Sequence, residues 1–177
     1  APLMEKLGER DTADLCRKTA HQLRELVASS WNGRWFDRGY GPPTEFQPEG
    51  TVIGRDRCWL EVQPWAILCG AASSEQSKSL IEIFKTGHCM NSPLGARIVW
   101  PPDLNNSRVG EGTLGGIWYS INMTLIWATA KIDPKFALAQ WEAMSLQRHG
   151  EAYPYVWEGT LSGPDAWNAP ESPRAGR

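Results

Sequence analysis

Residues 115–149, GGIWYSINMTLIWATAKIDPKFALAQWEAMSLQRH, decide the fold class, because two helices of different character follow each other there. The paired glycines precede a strongly apolar stretch, which predicts a buried helix over 117–132. Asp133 and Pro134 then supply an N-cap and a proline at the first helical position, and they predict a half-exposed helix that runs to about His149. A buried helix followed by a half-exposed one is typical of a helical hairpin with one inward face.

The same alternation of half-exposed and buried helices occurs in the first half of the chain. Helical spacing and capping residues predict helices over 12–29, 62–72 and 74–87. Long loops rich in glycine, proline and aromatic residues join them. We therefore predict an all-α fold, a partial (α/α)6 barrel in which helical hairpins form a toroid with long loops. Five helices cannot close six hairpins, so we expect residues 1–177 to be the C-terminal portion of one domain, cut from a longer chain.

Composition argues against several classes of function. The net charge is −2 and the isoelectric point is about 6.0, with basic residues scattered, so we expect neither nucleic acid nor an anionic membrane as a partner. No stretch approaches the roughly 18 apolar residues of a membrane span. No secretory signal opens the chain, so we place the protein in the cytoplasm. The four cysteines and three histidines lack metal-ligand spacing, so we predict no metal site.

Tryptophan is the most informative residue type, because most of the ten tryptophans have polar neighbours. Trp35, Trp65 and Trp118 stand beside arginines, carboxylates, amides or hydroxyls. A sugar stacks its C–H face on a flat ring while directed hydrogen bonds hold its hydroxyls, and these neighbourhoods supply both. Trp127 and Trp141 lie in the middle of predicted helices and are interpreted as core. The alternative for any one tryptophan is that it only fills a helical core.

Two polar clusters carry candidate binding residues. Arg38 lies among aromatic residues in segment 31–40, where its guanidinium can bind adjacent hydroxyls or an anion; the alternative is a solvated turn with a surface ion pair. Glu61 and Gln63 are two residues apart in an extended stretch before Trp65, which directs both to one side and suits gripping one sugar ring. The alternative is that Glu61 caps the following helix.

Gly115 and Gly116 form a third candidate site with the first turns of the helix that follows. Backbone N–H groups at a glycine-rich helix start bind phosphate, and Ser120 and Asn122 add polar side chains there. The alternative is close packing, for which paired glycines are also used. Carboxylates in residues 151–168 offer proton donors of the kind that glycoside chemistry needs, but their spacing assigns no role to any of them.

Three segments, in the same order and at similar spacing, resemble the inverting glycoside phosphorylases of glycoside hydrolase family 94. The first motif, residues 33–40 (Gly-Arg-Trp-Phe-Asp-Arg-Gly-Tyr), resembles the family's Gly-x-Trp-Phe-x-Arg-Ala-Tyr. The second motif, residues 60–66 (Leu-Glu-Val-Gln-Pro-Trp-Ala), is similar to Ile-Glu-Pro-Gln-Gly-Trp-Ala. The third motif, residues 115–122 (Gly-Gly-Ile-Trp-Tyr-Ser-Ile-Asn), is similar to Gly-Gly-Ile-Phe-x-His-Thr-Asn. The resemblance covers about residues 12–168.

The resemblance implies an (α/α)6 barrel that cleaves a β-glucosidic bond with inorganic phosphate as co-substrate, without a further cofactor, and gives a sugar 1-phosphate with inversion. The expected partners are a β-linked disaccharide or oligosaccharide and inorganic phosphate, and the family resemblance suggests a homodimer. Carried over by position, the substrate-binding residues are Arg38, Glu61, Gln63, Trp65 and Trp118, and the phosphate-binding residues are Gly115, Gly116, Ser120 and Asn122.

Two departures from the family pattern keep other functions open. The family's general acid lies in an Asp-Trp-Asn-Asp motif upstream of the helix that matches 12–29, and the sequence contains no such motif. We therefore expect the acid upstream of this chain and no catalytic residue within it. Ser120 stands where the family has a phosphate-contacting histidine. The alternatives are an inverting hydrolase or transglycosylase on the same barrel, and a non-catalytic sugar-binding or structural helical domain.

Overall fold

The structure, a computed structural model, describes residues 1–45, 48–86, 90–157 and 163–176. The helices in these ranges are α1 (Pro2–Lys6), α2 (Arg10–Ser29), α3 (Val62–Leu68), α4 (Ser74–Lys85), α5 (Tyr119–Thr129), α6 (Pro134–Ala143) and α7 (Leu146–Ala152). The strands form three antiparallel pairs, which are β1 (Gly39–Gly41) with β2 (Thr51–Ile53), β3 (Cys58–Trp59) with β4 (Val99–Trp100), and β5 (Ile117–Trp118) with β6 (Ala166–Trp167). Short 3-10 turns span Gly112–Leu114 and Pro154–Trp157.

The protein is mostly helical, as predicted, but it is not all-α. The strands are only two or three residues long and join in pairs, so they fasten loops to helix ends rather than build a layer of their own. Periodicity could not predict such short strands, because two or three residues carry no measurable period, and β3 and β5 pair with segments about 40 or more residues away. The partial (α/α)6 barrel stays a prediction.

Local capping explains where two of the predicted helices begin. The Ser73 hydroxyl accepts a hydrogen bond from Gln76 N at 3.2 Å, and the Gln76 side chain accepts one from Ser73 N at 2.8 Å, so a capping box starts α4. The Asp133 carboxylate accepts a hydrogen bond from Phe136 N at 3.0 Å, and Pro134 occupies the first position of α6. The helices predicted at these two places are confirmed.

Three other predicted helices have different bounds, and the one predicted over 62–72 already ends at Leu68. The helix predicted over 134–149 is interrupted, because the Ser145 hydroxyl accepts a hydrogen bond from Arg148 N at 3.1 Å and thereby caps a new helix, α7. The helix predicted over 117–132 begins two residues late, because residues 117–118 pair with β6 instead. A long-range strand pairing therefore replaces the first half-turn of the expected helix.

Two hydrophobic clusters form the core. The larger cluster joins the first loop, the start of α3, α4 and α5, and its fully buried side chains include Phe36, Leu60, Leu80, Phe84 and Leu125. The smaller cluster joins the tail to the start of α5 and contains Leu94, Ile117, Met144, Trp167 and Ala169. Burial of this apolar surface holds α3 against α5 and fixes the loops around their ends.

Several apolar side chains lie at the surface although the sequence predicts an inward position. Trp127 and Trp141 are 62% and 58% exposed, so their interpretation as core is wrong. The apolar face of α2 is open as well, with Leu23 and Leu26 exposed by 56% and 66%. Among the helices of the described ranges, none is both long enough and apolar enough to cross a membrane.

Candidate functional site

The extended segment 96–100 brings the second and third motifs together. Leu60 N donates to Ile98 O at 2.8 Å, and Ile98 N donates to Gly116 O at 2.9 Å. From these two contacts the chain continues into α3 after Leu60 and, through β5, into α5 after Gly116. The two helices then pack against each other.

A small cleft opens between the starts of α3 and α5. Its volume is about 220 Å³, and it is lined by Glu61 and Trp65 from the second motif and by Ser120, Ile121 and Thr124 from α5. Three of the predicted site residues thus meet in one place although they are far apart in the chain. Glu61 is the N-cap residue of α3, but its side chain makes no capping hydrogen bond, so its carboxylate is free to face the cleft.

Arg38 from the first motif reaches the same place through Glu61. Its Nε donates to Glu61 Oε1, and its guanidinium lies over the Trp59 ring, 4.1 Å from the ring centre. Both charged side chains stay accessible, at 37% for Arg38 and 29% for Glu61. Within the described residues, the Glu61 bond is the only hydrogen bond of this side chain, so its terminal nitrogens remain available to a ligand.

Gln63 lies behind the cleft rather than in it. Its side chain is fully buried, and Oε1 accepts from Phe36 N at 2.9 Å. Nε2 donates to Phe36 O at 2.9 Å and to Trp59 O at 3.0 Å. The amide that the sequence predicts as a sugar ligand is therefore fully engaged with the backbone, where it ties the first motif to the start of α3.

Asn122 repeats this arrangement in α5. It is fully buried, its Oδ1 accepts from Ala96 N at 2.8 Å, and its Nδ2 donates to Ala96 O at 2.9 Å and Trp118 O at 3.0 Å. It therefore joins the third motif to segment 96–100 and has no free donor to offer phosphate. The buried amides of Gln63 and Asn122 thus link the backbone segments that form the cleft.

The glycines of the third motif are packed closely rather than open. The N–H groups of Gly115 and Gly116 both donate to Gly112 O, and Trp118 Nε1 donates to the same oxygen at 3.1 Å. A Cβ atom at Gly116 would lie 2.8 Å from both N and O of Gly112. The geometry therefore matches the close-packing alternative, and these N–H groups, like the half-buried Trp118 indole, are occupied by the backbone.

A buried carboxylate organises the first motif. Asp37 is only 3% exposed and accepts hydrogen bonds from Arg55 Nη2 at 2.7 Å, Asn32 Nδ2 at 2.8 Å and the Tyr40 hydroxyl at 3.0 Å. Burial by itself would raise the pKa of the Asp37 carboxyl, but these donors outweigh it and hold the pKa below its ordinary value. This ionised anchor fixes the turn that carries Arg38 towards Glu61.

The sequence reasoning missed one residue beside the cleft. Trp127 of α5 contacts Trp65 edge to face, with ring centres 6.3 Å apart and planes at 82°. Both rings are more than half exposed. Its spacing of seven residues from Ser120 and three from Thr124 was a usable signal, because positions 120, 124 and 127 share one side of an α-helix.

Some residues with metal-binding or acid–base side chains lie outside the described residues. These are Glu158 and Ser162, in the segment 151–168, and His88 and Cys89. Among the side chains that are described, no three His, Cys, Asp or Glu residues come close enough together to hold a metal ion.

Comparison with known proteins links the chain to glycoside phosphorylases over about half of its length. It is 28% identical over 107 residues to the 3-O-β-D-glucopyranosyl-β-D-glucuronide phosphorylase of Paenibacillus borealis. This matched region covers 57% of this chain and 13% of that protein. It is 32% identical over 98 residues to the cellobionic acid phosphorylase of Neurospora crassa. This matched region covers 52% of this chain and 11% of that protein. The chain thus spans about a tenth of the length of these curated relatives. No family model matches it.

Proposed function

We propose that this chain supplies part of the sugar-binding wall of a glycoside phosphorylase, which cleaves a β-glucosidic bond with inorganic phosphate and releases a sugar 1-phosphate with inversion. The observation that carries the proposal is the cleft in which Glu61 and Trp65 of the second motif meet Ser120 of the third. The similarity of about half the chain to two phosphorylases supports it.

Each residue around the cleft has a role that its chemistry allows. The exposed Trp65 ring stacks on the C–H face of a sugar, and the free carboxylate oxygen of Glu61 accepts a hydrogen bond from a sugar hydroxyl. Arg38 holds Glu61 in place and directs its terminal N–H groups to a second hydroxyl or to an anion. Ser120 donates one hydrogen bond to a phosphate or sugar oxygen.

The phosphate side of the proposal rests on fewer groups than the sequence suggests. Gly115, Gly116 and Asn122 shape the start of α5 and position Ser120, whereas their own donors are bonded to the protein backbone. Phosphate takes the place of the water that an inverting hydrolase would use, and a carboxylic acid must protonate the leaving oxygen. We assign that acid to no residue of this chain.

Both relatives carry the name of a substrate with an acidic sugar, a glucuronide in one and cellobionic acid in the other. The exposed guanidinium of Arg38 suits a sugar carboxylate, because its planar fork can pair with both carboxylate oxygens. We therefore include an acidic β-linked disaccharide among the substrates to be tested.

An inverting hydrolase or transglycosylase is the second candidate. It is favoured by Ser120, which stands where the resembling family has a histidine that contacts phosphate. A serine at this position offers a single neutral hydroxyl and no positive charge, which weakens the attraction for a phosphate dianion.

The test is an assay of the full-length protein with cellobiose or cellobionic acid, with and without inorganic phosphate. Phosphate-dependent release of glucose 1-phosphate supports the phosphorylase, whereas phosphate-independent release of glucose supports the hydrolase. Glu61→Gln should lower kcat/KM at least about tenfold, since a hydrogen bond to a charged group contributes about 1.5–3 kcal/mol. Glu142→Gln, at an exposed carboxylate of α6, is the control. Equal rates for the two variants would remove Glu61 from the site.

A further inference from the structure

One face of α5 carries a polar stripe that ends in an exposed ring. Ser120, Thr124 and Trp127 follow each other at helical spacing along about 10 Å of the helix. Ser120 and Thr124 line the cleft, and the Thr124 hydroxyl donates to Ser120 O at 2.9 Å, so its oxygen can still accept a hydrogen bond from a ligand. Trp127 is 62% exposed, which is unusual for so large an apolar side chain in the middle of a helix.

Helix α3, on the other side of the cleft, carries a second pair of a polar and an aromatic side chain. Glu61 and Trp65 are four residues apart at the start of α3, and hence on the same side, about 6 Å apart along the axis. The Trp65 and Trp127 rings meet nearly at right angles, with their centres 6.3 Å apart. Two exposed indoles therefore form an aromatic corner at the end of a cleft whose walls carry a carboxylate and two hydroxyls.

We propose that Trp127 is a second sugar-stacking residue, and that the aromatic corner of Trp65 and Trp127 holds one pyranose ring of a β-linked glucoside. The inference rests on the proposed function and adds a residue that lies outside all three motifs. Two perpendicular rings can cover the C–H face of a pyranose and one of its edges at the same time, while the hydroxyls of Ser120 and Thr124 meet its polar groups. A corner with no charge of its own suits a neutral glucose unit.

The experiment measures cellobiose binding by calorimetry to the full-length protein and to the Trp127→Ala, Trp127→Phe and Trp141→Ala variants. Trp141 is a matched control, because it is 58% exposed on a different helix. Trp127→Ala should weaken binding about three- to tenfold, Trp127→Phe less, and Trp141→Ala not at all. If the wild-type protein binds cellobiose and Trp127→Ala binds it as tightly as Trp141→Ala does, the role of Trp127 is refuted while the proposed function stands.

A second measurement on the wild-type protein avoids any effect of substitution on folding. In ¹⁵N NMR spectra the indole N–H signal of Trp127, assigned by its loss in Trp127→Phe, should shift as cellobiose is added. If acrylamide and solvent exchange show that this indole is already covered before sugar is added, another protein segment occupies the corner and the inference is overturned. If the wild-type protein binds no β-glucoside with or without phosphate, the proposed function itself fails.

Discussion

Replacing Gln63 by leucine tests whether a buried amide, rather than a ligand-binding one, underlies the second motif. The side chain is fully buried and makes three hydrogen bonds, one from Phe36 N and two to the carbonyl oxygens of Phe36 and Trp59. Leucine has a similar volume and no polar atoms. The substitution therefore removes the three bonds and leaves one N–H and two carbonyl groups without these partners inside the core.

The magnitude follows from those three groups. A buried donor left without a partner costs about 1–3 kcal/mol, and each carbonyl costs less because the other lone pair can still be used. We expect a loss of about 3–5 kcal/mol in the free energy of unfolding, which is a large part of the roughly 5–15 kcal/mol of a typical domain. The loss should also free the first motif, because Phe36 is held by this amide at both its N–H and its carbonyl.

Urea unfolding followed by circular dichroism measures the effect, with Gln140→Leu as the control. Gln140 is also buried, at 2% exposure, but its Nε2 makes a single bond to Asn91 Oδ1 at 3.1 Å and its Oε1 is buried without a partner in the described part of the protein. Removing that amide should cost about 1 kcal/mol or less. Equal losses for the two variants, or a loss below about 1 kcal/mol for Gln63→Leu, would refute the bridging role.

Two further predictions concern stability. Burial lowers the pKa of His149 below its ordinary value, so the unfolded chain binds a proton more readily than the folded one. The free energy of unfolding should therefore fall as the pH drops below about 6.5, and His149→Gln should flatten this dependence in urea titrations from pH 7.5 to 5; an unchanged dependence would contradict the argument. Gly116→Ala should lower the free energy of unfolding by about 1–3 kcal/mol, because its Cβ atom would lie 2.8 Å from Gly112. Gly39→Ala is the control and should be nearly neutral, because there is open space around Gly39. Equal thermal midpoints for the two variants would contradict the packing argument.

Local signals in the sequence suffice for some of the helices but not for what connects them. The capping residues Ser73 and Asp133 mark the starts of α4 and α6, because capping acts within one turn. The strand pair of residues 117–118 and 166–167 has no local signature, since two residues carry no period and the partner lies in the tail. The starts of α4 and α6 were therefore predictable, whereas the start of α5, the separate helix α7 and the loop geometry around the cleft were not.

The sequence selects candidate site residues by position and residue type, and their roles stay predictions. Arg38, Glu61, Trp65 and Ser120 were selected as polar or aromatic motif residues, and the structure gathers them at one cleft. Gln63 was selected on the same grounds, although residue type does not reveal whether an amide faces water or the backbone of a distant loop. Their contrast shows that burial, a property of the whole fold, decides whether the side chain of a motif residue is accessible to a ligand.

Asn122 shows that part of this distinction was accessible. It lies in a stretch predicted to be apolar and buried, and a buried amide must find hydrogen-bond partners inside the protein, as this one does with Ala96 and Trp118. A polar residue within a predicted buried helix is therefore better interpreted as a link to another backbone segment than as a ligand. By the same reasoning, an aromatic residue such as Trp127, on the face of α5 that carries hydroxyls, is better interpreted as a surface residue.

The difference between motif residues that are bonded to the backbone and motif residues that reach the cleft changes what the resemblance to phosphorylases can support. Gln63, Gly116 and Asn122 match the motifs, but their atoms are committed to the protein's own backbone, so these matches carry no evidence about the reaction. Evidence about the chemistry is carried by the side chains that reach the cleft. Among these, Glu61 agrees with the family pattern and Ser120 departs from it, so phosphate dependence has to be decided by experiment at Ser120 rather than by the number of matching residues.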